Sequence, residues 1–184
     1  MTSALTNLQQ HWSSGVATGL IAGLAAGVIV LVPVLILQTA RDVRVVPEMQ
    51  LAASSLMGMA AYSSAAGLIL GTLLHFFVSI IPAVLYALVA WQVPTVNRWA
   101  WIGGPVLGII VFFFMGFVVL PLSDFTTPAS VTPMPFLPAL LTHMFGLGLP
   151  IALIVRRGWM RTVIARPVAG QAQNPSVLKS SRRS

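Results

Sequence analysis

Few residues in this chain are of types that do chemistry, and three of them recur along one apolar stretch, Gly67 to Trp91, GLILGTLLHFFVSIIPAVLYALVAW. On a helix turning about 100° per residue, Ser79 lies roughly 40° from His75, Pro82 about −20° and Tyr86 about 20°, so all four share one narrow face. A further histidine, His143, sits in a second apolar stretch, LLTHMFGLGLP. An imidazole, a hydroxyl and a phenol turned toward hydrocarbon would each lose costly hydrogen bonds. The stripe of His75, Ser79, Tyr86 and His143 is therefore expected to face protein or a wet cavity, and it is the candidate ligand-binding set.

Several chemistries fit these types. Two histidines on separate helices are the minimum for bis-histidine ligation of haem b. His75 lies about 10 residues into its span and His143 about 7, a difference of roughly 5 Å at helical rise, which allows them a common level. A proton or small-solute pathway is the second reading, because ionisable residues inside a span face a cavity or a partner. No Asp, Glu, Lys or Arg lies inside any span, which leaves such a pathway without a charged relay. The third reading is structural: the polar groups bond to one another or to carbonyls freed by Pro82 and Pro150, and so specify which helix faces meet. Catalysis has the least support. There is no HExxH, no GxSxG and no carboxylate pair, and Ser79 follows His75 without an acid to orient the imidazole. With no cysteine there is no thiolate metal site or disulfide either. The chain is expected to have no catalytic residue, no metal site and no enzymatic activity, and to be a structural or accessory component.

The elements that position these residues follow from composition. The chain has 184 residues, 57% hydrophobic and only 7% charged, with a mean hydropathy of +0.92. Soluble domains carry about 25% charged residues, so this is a polytopic membrane protein. Its expected fold is an all-α bundle of four membrane-spanning helices over residues 15–157, with spans at about 15–37, 65–93, 99–122 and 136–155. Residues 1–14 form a polar N-terminus, and 158–184 a basic tail with the composition of a disordered segment. The connection 94–98 predicts a tight antiparallel hairpin between the second and third spans. In the first loop, Pro47 and Glu48 look like a helix start, and Met49, Ala53, Leu56, Met57 and Ala60 give a short interfacial helix one apolar face; a surface loop is the alternative.

Glycines set the packing. Gly15, Gly19, Gly23 and Gly27 form an unbroken row at four-residue spacing, a pattern of close helix contact within the chain or between two copies. The second span has its own row: Ser63, Gly67, Gly71, His75, Ser79, Ala83 and Ala87. The two spans are antiparallel, and matching their midpoints sets Gly27 level with His75, Gly23 with Ser79, Gly19 with Ala83 and Gly15 with Ala87. Pro33 is expected to kink the first span.

Orientation follows from charge. Arg98 and the seven basic residues from Arg156 onward lie on one side of a four-span chain, and Arg41 and Arg44 on the other, so both termini are expected in the cytoplasm. Trp12, Trp91, Trp99, Trp101 and Trp159 fall at the same ends, where indoles favour the interface. Arg156, Arg157, Arg161 and Arg166 are candidates for contact with anionic headgroups of membrane lipids. Topology alone explains the basic cluster, and nucleic acid is not an expected partner; a homo-oligomer or a larger membrane complex is.

The segments HFFVSIIPAVLYALVAW, FVVLPLSDF and LLTHMFGLGLP together resemble a group of small bacterial inner-membrane proteins of unknown function, YagU-like in outline. The shared outline is four spans, a histidine in the second, and in the fourth a histidine followed by an aromatic and glycine. The resemblance covers residues 15–157. It implies a location in the bacterial cytoplasmic membrane and no particular activity.

Overall fold

A chain crossing hydrocarbon has to satisfy its own backbone groups, and a single segment can do so only as a helix. The computed structural model describes residues 2–40, 46–129 and 134–172, and every regular element in them is helical. Helix α1 is Thr2–Ala40, α2 is Val46–Met57, followed by a 3-10 segment at Gly58–Ser63, and α3 is Ala65–Gln92. A short α4, Pro94–Arg98, leads into α5, Ala100–Phe114, which ends in a π turn at Met115–Val119. Helix α6, Phe136–Leu141, passes through a second π turn, Thr142–Gly148, into α7, Leu149–Ala172. Four stretches are long and apolar enough to cross a membrane: Trp12–Val32, Ala65–Gln92, Ala100–Val119 and Phe136–Ile164. The fold is all-α with four such spans.

Close backbone approach organises the packing. A Cβ built on Gly23 would stand 2.5 Å from Ile80 Cα and 3.0 Å from Ser79 O, and one on Gly19 2.6 Å from Val84 Cα and 3.1 Å from Ala83 O. At Gly15 the neighbours, Leu88 and Trp91, are at ordinary contact distance, 3.5 and 3.6 Å. The α1 row thus lies along α3 at the expected levels. The α3 row divides between two partners. Its lower part faces α1, whereas Gly71 sits against the backbone of Met49 in α2 and Gly67 against that of Ala61 in the 3-10 segment. Met49, Gln50, Ala53 and Ser54 are buried there and Leu56 is exposed, so α2 is a helix with one face on α3.

The hairpin expected between the second and third spans needs correction. The α4 connection is short, but α3 packs chiefly on α1, and α5 chiefly on α7 and its π turn. The reason is glycine again: a Cβ on Gly104 would lie 2.7 Å from Leu149 Cα, and Gly108 abuts the backbone of His143 and Met144. Helix α1 also packs on α7, joining the two pairs. The core between them is built from small residues, Ala22, Ala26, Ala83, Ala87 and Ala152, with Ile151 and Val155.

Two boundary expectations also change. Helix α1 already begins at Thr2, within the segment read as a polar N-terminus. Helix α7 continues to Ala172, through half of the tail expected to be disordered. Early in that continuation Gly158 sits on Thr18 of α1, a built Cβ lying 2.7 Å from its Cγ2, and Trp159 packs against the core. Residues 173–184, and the loop charges Arg41, Asp42 and Arg44, lie outside the described residues, as do the side chains of Pro33 and Arg166. Among the tryptophans, Trp12, Trp99 and Trp101 are exposed as an interfacial belt requires, but Trp91 is buried, in space left by Gly15 and Gly158.

Gly19→Ala and Gly23→Ala are expected to destabilise the protein by about 1–3 kcal/mol each, because the added methyl meets backbone that cannot rotate away. Gly116→Ala, with nothing within 4 Å of the built Cβ, should change stability by much less. Unfolding midpoints in mixed micelles of detergent and SDS would read both, and equal midpoints for Gly23→Ala and Gly116→Ala would refute this account.

Candidate functional site

The stripe on α3 is built around one bond between helices. Gly27 has no side chain, so the ring of His75 reaches the α1 backbone, and Nε2 donates to Gly27 O at 3.0 Å. A carbonyl only accepts, so the neutral ring carries its proton on Nε2 and keeps the Nδ1 lone pair. One turn on, the hydroxyl of Ser79, buried against α1, donates back to His75 O at 2.8 Å. The ring of Phe76 stands edge-on to His75 with centroids 5.4 Å apart, and its edge fills the space in front of Gly27.

Tyr86 shares the stripe but looks elsewhere. Its phenol is directed at α5, where a Cβ on Gly103 would lie 2.9 Å from the hydroxyl oxygen. That oxygen is buried and has no hydrogen-bond partner. Gly103 makes room for the ring without supplying an acceptor.

His143 belongs to the other helix pair. Its Nδ1 donates to Ala139 O, one turn back on α6, at 2.8 Å, which leaves Nε2 as the lone-pair nitrogen. Phe112 of α5 meets the ring edge-on with centroids 5.3 Å apart, and Phe136 packs on Phe112 in the same way. No hydrogen bond or ring contact joins His143 to His75, so the four candidates divide into His75 and Ser79 on α1, Tyr86 on α5, and His143 between α5 and α6. The carbonyls of Val78 and Gly146, deprived of their usual donors by Pro82 and Pro150, receive none from these side chains; that part of the structural expectation is corrected. Backbone within the same helix, or the backbone of α1, takes their place. Among the described residues no three His, Cys, Asp or Glu side chains come together.

Two polar features escaped the sequence reading. At the end of the bundle away from α4, Tyr62 Oη donates to Thr126 O at 2.9 Å, Asp124 N donates to Ser55 O at 3.0 Å, and Thr126 N reaches Ser54 Oγ at 3.4 Å. Gln50 Nε2 adds a bond to Tyr62 O at 3.3 Å, and Gly58 takes the left-handed φ of +53° that lets the chain turn beside Asp124. The signal was available: Gln50 and Ser54 are polar residues one turn apart on the face of α2 read from its apolar members alone. At the other end Asn97 is buried and its Nδ2 donates to Ala90 O at 2.6 Å, tying α4 to the end of α3. Arg98, Arg157 and Arg161 are exposed there and Arg156 is half-buried.

Compared with known proteins, the chain matches no family model, no curated protein and no solved structure. Its functional reading therefore rests on the geometry above.

Removing the His75 bond should be mild: His75→Ala is expected to cost about 0.6 kcal/mol, the usual worth of a hydrogen bond between helices in a membrane. Tyr86→Phe should instead stabilise the protein by about 1 kcal/mol, since it deletes a buried hydroxyl that has no partner. The same micelle unfolding assay checks both signs, and a loss of stability in Tyr86→Phe would mean that the hydroxyl has a partner.

Proposed function

We propose that this chain is a structural or accessory component of the bacterial cytoplasmic membrane, non-enzymatic and without a bound cofactor, with both termini in the cytoplasm. The observation that carries this reading is where the polar groups of the spans go. His75, Ser79 and His143 each bond to a backbone carbonyl, and the spans meet backbone to backbone at Gly19, Gly23, Gly104 and Gly108. Polar groups used in this way fix which faces meet. The bacterial location and the YagU-like kinship belong to the same proposal, supported by the segments that carry the resemblance. The orientation is supported by the basic residues and exposed tryptophans gathered at one end. The exposed faces of α3, of α5 and of the π turn after it, with Leu73, Phe77, Ile110 and Phe117, are apolar enough for membrane lipids or for another membrane helix.

One observation favours a second reading, a pathway for a proton or small solute. The Tyr86 hydroxyl is buried within a span without a partner, and such groups are found where a ligand or water completes the site.

Three measurements test these readings. A cysteine placed at Thr127 should be labelled by a membrane-impermeant reagent from outside the cell, and labelling only from the cytoplasmic side would sink the topology. Proteoliposomes should show no proton or solute flux above protein-free vesicles; a flux lost in Tyr86→Phe would replace the structural reading with the pathway. Purified protein should lack a Soret band, whereas a band that disappears in His75→Ala and His143→Ala would establish haem b.

A further inference from the structure

Among the described residues the arginines at the α4 end form no ion pair. The chain has three acids, Asp42, Glu48 and Asp124, and in sequence all three follow the far ends of α1 and α5. Among the described residues the guanidinium of neither Arg98 nor Arg156 makes an ion pair or a hydrogen bond. Both line one groove of about 400 Å³ between α4 and α7, whose other walls are Pro94, Thr95, Trp159 and Met160. Asn97 also lines it, 2% exposed, with Nδ2 bonded to Ala90 O and Oδ1 buried without a partner.

These features are complementary to one chemistry. Two guanidiniums from different elements present forked donors that match phosphate oxygens. The walls of proline, methionine and indole are apolar. The place is the end of the apolar spans: α3 stops at Gln92, α5 starts at Ala100, and the exposed Trp99 and Trp101 mark the level where indoles meet headgroups. We infer that the groove between α4 and α7 is a binding site for the headgroup of an anionic phospholipid, with the phosphate held between Arg98 and Arg156 and Trp159 beside the glycerol. This inference rests on the multi-span reading and on neither choice between a structural role and a pathway, so the flux assay can fail without touching it.

The test is native mass spectrometry of the full chain in mild detergent, titrated with dioleoylphosphatidylglycerol, with dioleoylphosphatidylcholine and with inorganic phosphate. Phosphatidylglycerol should bind with a preference over phosphatidylcholine of about tenfold or more, and Arg98→Gln with Arg156→Gln should remove that preference. The pair Arg157→Gln and Arg161→Gln makes the same change in charge on exposed residues and should lower binding less. Equal losses in the two pairs would mean a diffuse basic surface and overturn the site. Phosphate that binds alone and displaces the lipid would overturn the lipid as its occupant. If the Gln pair does not fold, Arg98→Lys with Arg156→Lys keeps the charge and loses the fork; reduced binding supports the site, and undiminished binding overturns it.

Discussion

In hydrocarbon two helices gain nothing from hiding apolar side chains from each other, since lipid is as apolar as leucine; what holds them is the number of atoms in contact and the few polar bonds between them. That constraint makes close backbone approach the interaction on which the rest of this protein depends. Where α1 meets α3, a methyl on Gly23 or Gly19 would fall well inside contact distance of a backbone atom, and the same holds where Gly104 and Gly108 meet α7 and the π turn before it. The bundle is thus two glycine-matched pairs, α1 with α3 and α5 with α7, joined through α1 and α7. Small core residues such as Ala22, Ala26, Ala83 and Ala152 follow from the same spacing, because larger ones would hold the pairs apart.

Close approach also decides what the polar residues do. Across the α1–α3 contact the imidazole of His75 spans from α3 to the carbonyl of Gly27, and the Ser79 hydroxyl donates back to its own helix. His143 lies on the other pair and bonds within its own helix. The two histidines thus donate from opposite ring nitrogens, His75 through Nε2 and His143 through Nδ1, in different interfaces.

Much of this was legible in the chain. Hydropathy marks the four spans, and the four-residue spacing of Gly15 to Gly27 marks a contact face whatever its partner. The register came from geometry: antiparallel spans with matched midpoints set Gly27 beside His75 and Gly23 beside Ser79. The partner of α5 was not legible, because Gly104 and Gly108 are compatible with either neighbour and the short connection at α4 argued for α3. The division of the α3 row was hidden for a similar reason: nothing in Gly67 or Gly71 says that a short loop helix, and not a span, will press against them. The continuation of α7 past Val155 brings Gly158 against Thr18, a contact between distant parts of the chain that the local sequence does not announce. The network of Gln50, Ser54, Tyr62 and Thr126 was obscured because polar residues near a loop are ordinarily solvated, and these turn inward.

The π turn at Thr142–Gly148 is the least legible feature, and the glycine match between α5 and α7 explains why it is there. Gly104 and Gly108 lie one turn apart on nearly the same line of α5. Their opposite numbers on the fourth span are Gly148 and the backbone at His143, five residues apart. In an α-helix, residues five apart point about 140° away from each other, so one span could not offer both positions to α5. A π turn closes its bonds over five residues and brings such a pair back toward one face. The extra residue in the turn therefore lets five residues of the fourth span match four of the third, with Gly148 against Gly104 and the His143 carbonyl against Gly108. The same segment carries the His143 ring: its carbonyl lies against Gly108, while the side chain meets Phe112 and bonds back to Ala139. The placement of this histidine is thus a consequence of how two helices had to be brought into register.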